Sequence, residues 1–382
     1  MKERFFSLTP PKVEFSLHFG SIFSSRFIEH LSSYKRIAII TDTTVRELYG
    51  NSFKNHLISS GFDAYLFAFT SGEERKNRNT KQEIETFLFE NHHLKEDLIL
   101  GFGGGVVLDI AGFLAATFLR GSPFILLPTT LLAMSDACFG GKTGVNTPFG
   151  KNLIGSLAFP KALWIDTQML LSLKEAQLFE GAVEMIKHAL ILDHSLFSQM
   201  EASPYFYRNA EGLCKWIEKS LLLKAQIVTK DPFEQGIRKL LNFGHTIGHA
   251  LEKVFNYQIS HGQSVGIGLM AESCLSYLEG DLDTESYKRI IEFMLNFKEN
   301  LIFPSLPSVE ALFEYMSYDK KARKGTPRFV LLKSIGNPVE ANGEFCHTVS
   351  QENLQSTIKL LSNGQITHFK KCYQGNNLSP SL

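Results

Sequence analysis

The chain has 382 residues, 44% of them hydrophobic, a length and composition that suit a globular protein of two domains with sizeable cores. Lys plus Arg and Asp plus Glu both number 39, so the formal net charge is zero; this argues against nucleic-acid and membrane-surface binding but leaves room for a local anion site. The five cysteines are scattered without a CxxC, and neither an apolar signal core nor a run of transmembrane length occurs, so a reducing, cytoplasmic setting without a disulfide framework is expected.

In chain order, the first half alternates strands with helices. Residues 35–42 (KRIAIITD) form a short apolar run that delivers Thr41 and Asp42 at its carboxyl end, and 63–69 (DAYLFAF) reads the same way. Between them, residues 44–61 have helical spacing and end at a glycine. Residues 97–105 (DLILGFGGG) predict a third strand running into a turn, followed by a buried helix to Gly121 and another strand at 124–130. This rhythm predicts a parallel sheet with helices on its faces. Beyond about residue 170, helical periodicity takes over in the segments 174–192, 211–229, 237–255 and 263–280, with one late strand at 327–336. The expected division is an α/β nucleotide-binding domain (1–172), a mainly α-helical domain (173–362) and a polar, loosely docked C-terminal tail (363–382).

Four segments carry candidate chemistry. Gly103-Gly104-Gly105 removes side chains where backbone must approach a phosphate, and the following helix offers free N–H groups and the positive end of its dipole. This is not GxGxxG, and a tight strand-to-helix turn explains it equally well. Asp109, inside an otherwise apolar helix, needs a partner; a ribose hydroxyl or a helix N–H would serve. Residues 136–155 (DACFGGKTGVNTPFGKNLIG) read as a loop whose glycines, with Lys142, Lys151 and Asn152, suit anions and hydroxyls. In 181–190 (GAVEMIKHAL), Glu184 and Lys187 share a helix face among apolar neighbours, which predicts a buried pair.

Asn242, His245 and His249 share a helix face at i, i+3 and i+7, and His261 opens SHGQSVGIG. Two imidazoles and a carboxylate make a three-ligand catalytic zinc site with one position open for a substrate oxygen. Whether His245 and His249 are both ligands, or one ligand and one substrate-binding imidazole, is left open by the spacing. A dinucleotide site and a metal site on one chain suggest redox chemistry on an alcohol.

These motifs, with residues 318–325 (YDKKARKG), stand in the order and approximate spacing of a known family over roughly residues 10–360: the chain resembles the 3-dehydroquinate synthases. The resemblance implies conversion of 3-deoxy-D-arabino-heptulosonate 7-phosphate to 3-dehydroquinate and phosphate in the shikimate pathway, with catalytic NAD and zinc or cobalt. It implies Glu184, His245 and His261 as metal ligands, with His249 not a ligand but a group that supports them or binds the substrate. NAD is expected at Asp42, Gly72, Glu73, Glu74, Arg75, Lys76, Gly104, Gly105, Val106, Asp109, Thr129 and Thr130. Asp136, Lys142 and Lys151 are expected at the cofactor and the substrate. Asn152, Lys187, Lys224, Arg238, Asn242, His249 and a lysine of the pair Lys320 and Lys321 would hold the substrate. Arg120 is a phosphate candidate reaching across a homodimer interface.

No strong general base stands out, which fits a family in which the substrate's own phosphate helps move the proton. The chain departs from the family pattern at Leu108, where a small residue is usual, at Cys138 and Phe139, and at Gln263, where glutamate is usual. Competing readings are another sugar phosphate cyclase, a metal-dependent alcohol dehydrogenase of the same superfamily, and a catalytically dead binding protein.

Overall fold

The computed structural model describes residues 13–305, 309–317, 325–362 and 366–373. The chain divides into two units. One comprises the described residues up to Thr129 together with Gly141–Asp166; the other comprises Thr130–Gly140 and the described residues from Thr167 onward. The boundary thus falls six residues before the expected one, and an eleven-residue segment of the first half belongs to the second unit. The cause is local. Thr130–Gly140 winds into a π-turn at Ala133–Ala137, and its Ser135 hydroxyl donates to Gly181 O at 3.2 Å.

The first unit holds β1 (Ser16–Phe19), α1 (Ser25–His30), β2 (Arg36–Asp42), α2 (Thr43–Val45) continuing through a π-turn into α3 (Asn51–Ser59), β3 (Asp63–Phe69), α4 (Arg78–Glu90), β4 (Leu98–Gly103), α5 (Gly105–Thr117) and β5 (Phe124–Pro128). It closes with β6 (Lys142–Thr147), β7 (Gly150–Leu157) and β8 (Ala162–Ile165). Six strands form one parallel sheet in the order β1-β8-β5-β4-β2-β3. β2, β4, β5 and β8 are buried almost throughout, which is why they read as unbroken apolar runs. From β4 the chain moves to β5 on one side, and from β2 to β3 on the other. The carboxyl ends of β2 and β4 therefore flank a topological switch point, where open α/β sheets leave a crevice.

Within the segment 136–155 read as loop, and just beyond it, residues 142–157 form an antiparallel hairpin with Gly144 opposite Gly155. The hairpin is gripped by the turn after β3: Asn146 N donates to Lys76 O at 2.7 Å and Asn146 Nδ2 to Glu73 Oε1 at 2.7 Å.

The second unit is helical: α6 (Glu175–Leu192), α7 (His194–Ala202), α8 (Ala210–Lys230), α9 (His245–Val254), α10 (His261–Leu278), α11 (Thr284–Met294), α12 (Val309–Ser317) and α13 (Gln351–Leu361). The strand expected at 327–336 shrinks to β9 (Leu332–Ser334), paired with β10 (Asn337–Pro338). The helix expected over 237–255 is two pieces. A 3-10 turn, Ile237–Asn242, ends before Gly244, whose left-handed backbone (φ 78°) starts α9 afresh at His245. The expected loose tail is also corrected in part: Ile366–Cys372 is a 3-10 helix with Ile366 and Phe369 buried. Among the described residues, no helix is long and apolar enough to cross a membrane.

Candidate active site

In the first unit, the expected nucleotide residues gather at the carboxyl edge of the sheet. Asp42 ends β2, Gly72 to Lys76 follow β3, Gly104 to Val106 follow β4 and Thr129 follows β5. Asp42 Oδ1 accepts from Val45 N and from the Ser71 hydroxyl, both at 2.9 Å, which fixes its carboxylate at the crevice. Gly104 caps α5 without a side-chain hydrogen bond, and the first turn carries no acidic residue, so its N–H groups suit a phosphate. A Cβ at Gly103 would fall 2.6 Å from Val107 Cγ2, so only glycine lets this turn close so tightly. These features fit a dinucleotide.

Asp109 has a partner other than the two expected: Lys76 Nζ stands 2.6 Å from its Oδ2. The same buried ammonium donates to Asn152 Oδ1 at 2.6 Å, so Lys76 ties α5 to the hairpin. Asn152 holds a left-handed backbone (φ 55°) and Asn152 N donates to Asn146 Oδ1 at 2.9 Å. Lys142 is exposed and Lys151 half-buried on the hairpin; Arg120 is exposed at a corner where Leu119, Arg120 and Gly121 all have positive φ. Leu108 is buried, with its Cδ2 atom 3.8 Å from where a Cβ on Gly101 would lie, so this departure packs the core rather than crowding the turn.

In the second unit, α6 supplies Glu184, while His245 and His261 are the first residues of α9 and α10. Glu184 Oε1 lies 3.4 Å from His245 Nε2 and 3.2 Å from His261 Nε2. The edge of a tetrahedron with bonds of 2.0–2.1 Å is about 3.3–3.4 Å, so the donor spacing suits zinc or a similar ion. Each ring is oriented through its other nitrogen. His245 Nδ1 lies 3.0 Å from Phe243 O, and His261 Nδ1 lies 2.7 Å from Glu252 Oε1. With protons kept on both Nδ1 atoms, both Nε2 lone pairs would be free for an ion shared with Glu184. Burial disfavours a charged His261, but Glu184 and Glu252 outweigh it and push its pKa up to about 10. Burial, then Lys187, lowers that of His245. Two carboxylates that attract a proton so strongly also attract a dication.

The scaffold of this cluster depends on a close helix crossing. A Cβ on Gly268 of α10 would fall 1.9 Å from Gly244 O, so glycine there lets α10 touch the start of α9. Glu272, fully buried on α10, accepts from Gly244 N at 2.8 Å, Thr246 N at 3.0 Å and Ile247 N at 3.3 Å. It thereby caps the helix that presents His245. Gln263, the other departure near the cluster, completes a capping box with Ser260 at the start of α10. His249 lies beside the donor set, its ring 5.1 Å from that of His245 and 6.1 Å from that of His261.

Buried cations stand next to the donors. Lys187 ion-pairs with Glu184 Oε2 and lies 3.9 Å from Asp136 Oδ1. Lys224 Nζ donates to Asp136 Oδ1 at 2.7 Å and to its carbonyl at 2.6 Å. Burial opposes charge on Asp136, yet Lys224 and Lys187 hold it well below the usual carboxylate range. His188 completes the set, 3.4 Å from Asp136 Oδ1 and 2.7 Å from the Ser220 hydroxyl; burial pushes it down to about 4, so it is neutral. Asp136, Glu184 and His188 also converge, but Lys187 already meets both carboxylates as their cation.

Arg238 is buried, with Nη1 donating to Pro232 O at 2.6 Å and Nη2 to Gly140 O at 2.9 Å. Its fork therefore also props the backbone. Asn242 Nδ2 donates to Glu234 Oε1 at 2.7 Å. Asn242 sits in the 3-10 turn, so it does not share a helix face with the histidines as its spacing predicted. Thr130 uses its hydroxyl to accept from Ala133 N. Lys320 and Lys321 lie outside the described residues. The spacing of charged residues did not single out Glu252 or Glu272; the available signal was a carboxylate inside an apolar helical run, as at Glu184.

An α/β unit with a glycine turn at its switch point and a helical unit with a Glu-His-His donor set define a fold seen in sugar phosphate cyclases. A solved 2-epi-5-epi-valiolone synthase from Streptomyces hygroscopicus subsp. jinggangensis, with NAD+ and Zn2+ bound, superposes with a TM-score of 0.82 at 23% identity, covering 93% of this chain and 98% of that one. The model described as 3-dehydroquinate synthase N-terminal matches residues 66–180, and that described as 3-dehydroquinate synthase C-terminal matches 181–322. A 3-dehydroquinate synthase of Streptococcus pneumoniae (strain 70585) is 36% identical over 340 residues, 88% of this chain and 93% of the relative. One of Syntrophotalea carbinolica is 39% identical over 323 residues, 83% and 89% of the two chains. The chain belongs to the 3-dehydroquinate synthase family.

Proposed function

We infer that the chain catalyses its family's reaction, in which 3-deoxy-D-arabino-heptulosonate 7-phosphate loses phosphate and closes to 3-dehydroquinate. This is a lyase step of the shikimate pathway towards aromatic amino acids. The observation that carries the reading is the convergence of Glu184, His245 and His261 next to the buried ammonium of Lys187. The substrate is a small molecule with a carboxylate and a phosphate, and a chain of zero net charge that buries Lys187, Lys224 and Arg238 together has cations to meet them.

We assign the divalent ion, zinc or cobalt, to Glu184, His245 and His261. We assign NAD to Asp42, Gly72, Glu73, Lys76, Gly104, Gly105, Val106, Asp109, Thr129 and Thr130. When bound, NAD supplies a reversible hydride acceptor and the ion a Lewis acid for a substrate hydroxyl. The chain's own groups do the rest. Lys187, Lys224 and Arg238 neutralise the substrate's anions, with Lys142 and Lys151 of the hairpin and Lys320 or Lys321, while Asn152 and Asp136 hold its hydroxyls. Asn242 and His249 orient hydroxyls. Asp136 is committed to two lysines and His188 to Ser220, which supports leaving proton removal to the substrate's own phosphate. We also propose a cytoplasmic homodimer in which Arg120 reaches the substrate phosphate of the neighbouring subunit; its exposure and strained corner support this.

The test is phosphate release from the heptulosonate phosphate with NAD far below substrate. Many phosphates per NAD and no net NADH are expected. One NADH accumulated per turnover would indicate a dehydrogenase instead. Turnover only with a sugar phosphate lacking the carboxylate would indicate a different cyclase.

A further inference from the structure

Cys274 and Cys372 are 98 residues apart in sequence, yet their sulfurs stand 3.4 Å apart. A disulfide needs them only ~1.4 Å closer. Cys274 is buried on α10, and Cys372, half-buried, ends the Ile366–Cys372 helix. Other contacts hold that helix in place. The Tyr287 hydroxyl donates to Phe369 O at 2.9 Å, and Tyr287 in turn stacks on Tyr277 of α10 with ring centroids 4.7 Å apart. The two thiols thus meet because apolar and hydrogen-bonding contacts dock the segment.

We propose that Cys274 and Cys372 form an oxidation site, at which a hydroperoxide converts the dithiol to a disulfide tying residues 366–373 to α10. Cys372 is the attacking sulfur. Its hydrogen bond with Cys274 lowers its pKa, while burial holds Cys274 as the thiol. The Cys372 thiolate takes one oxygen from the peroxide. The O–O bond breaks, an S–O bond forms, and the departing hydroxide is protonated to water. Cys274 sulfur then displaces the sulfenic oxygen, which leaves with the Cys274 proton as a second water. Two thiols are oxidised by two electrons and one peroxide is reduced. The other cysteines are poorer reactants: Cys138 is buried and pushed up to about 12 by that burial, Cys346 is buried, and burial raises Cys214. None of the groups assigned to the reaction takes part.

The full-length protein treated with hydrogen peroxide, then denatured and alkylated, tests this by intact mass and peptide mapping. Two of the five thiols should be lost, with one cross-linked peptide joining Cys274 to Cys372 and reversal by dithiothreitol. The oxidised protein should melt a few degrees higher, because a long loop is closed in the unfolded chain, and Cys372→Ser should abolish both effects. The wild-type peptide map decides the question even if a variant fails to fold. Prior oxidation of Cys214, a disulfide-linked dimer, or five intact thiols at a peroxide level that consumes free cysteine would each overturn the proposal.

Discussion

Glu252 Oε1 lies 2.7 Å from His261 Nδ1, so the helix that begins with one histidine of the donor set ends by orienting the other. Glu252→Gln keeps an acceptor but removes the charge that makes the ring a better donor to metal. Zinc affinity should fall about 10- to 100-fold, read by competition with a chromophoric chelator. Unchanged affinity would reduce Glu252 to a packing residue.

Removal of metal separates the histidines. Chelator treatment should abolish activity, and zinc or cobalt should restore it. His245→Ala should lose stoichiometric metal. His249→Ala should keep the metal and lose about 10²–10⁴-fold in kcat, the range for a group handling protons or hydroxyls. Metal analysis of both variants, paired with kinetics, checks the division; equal metal loss in the two would make His249 a ligand.

Lys76 joins Asp109 to Asn152, each at 2.6 Å. In Lys76→Met the half-buried carboxylate of Asp109 loses its counter-ion and the hairpin loses its bond at Asn152, keeping those at Asn146. NAD binding should weaken by about tenfold or more, since a charge-assisted hydrogen bond contributes roughly 1.5–3 kcal/mol. Calorimetric titration with NAD reads this directly. Zinc binding in the other unit should be unaffected.

Gly268→Ala places a methyl 1.9 Å from the Gly244 carbonyl, a contact that no rotamer relieves. The helix crossing must open, and the expected result is lost metal together with a lowered Tm. A variant that keeps both would show that the crossing tolerates a side chain.

His93 is buried and neutral, its pKa pushed down to about 4 by that burial. Its unfolded pKa is about 6.5. Between these values the unfolded chain binds more protons, so stability rises with pH across this window and is lost as pH falls from about 6.5 towards 4. The loss from about pH 7 to pH 5 is on the order of 2 kcal/mol by this linkage. Urea denaturation at the two pH values should give a smaller difference for His93→Gln. An equal difference would put the dependence elsewhere.

Strands β2, β4 and β5 were legible because a strand covered on both faces needs an apolar run, and Ile37 to Ile40 or Leu98 to Phe102 have no other use in water. The hairpin at 142–157 was not, because glycines, lysines and asparagines that pair two backbones look like those of a loop. The break before α9 was hidden by apolar periodicity that runs straight through Gly244. A Glu and His cluster was within reach of the sequence because such groups in apolar helices are costly without partners, but the spacing left His245 and His249 undivided, and only the family resemblance chose between them. Arg238 was readable as a cation, but not as a strut: its bonds to the Pro232 and Gly140 carbonyls depend on folding that its neighbours in sequence do not reveal.

His245 and His261 each open a helix, so whatever they hold faces two helix N-termini. Each terminus carries a partial charge of roughly +0.5, which repels a cation. The buried Glu272 carboxylate, spread over Gly244, Thr246 and Ile247, cancels much of that repulsion at α9, and at α10 Glu252 on the His261 ring and Glu180 on the Ser260 hydroxyl do the same. An ion held here would therefore sit in a charge-balanced frame, its hold set by Glu184 and the two imidazoles rather than by the helix ends.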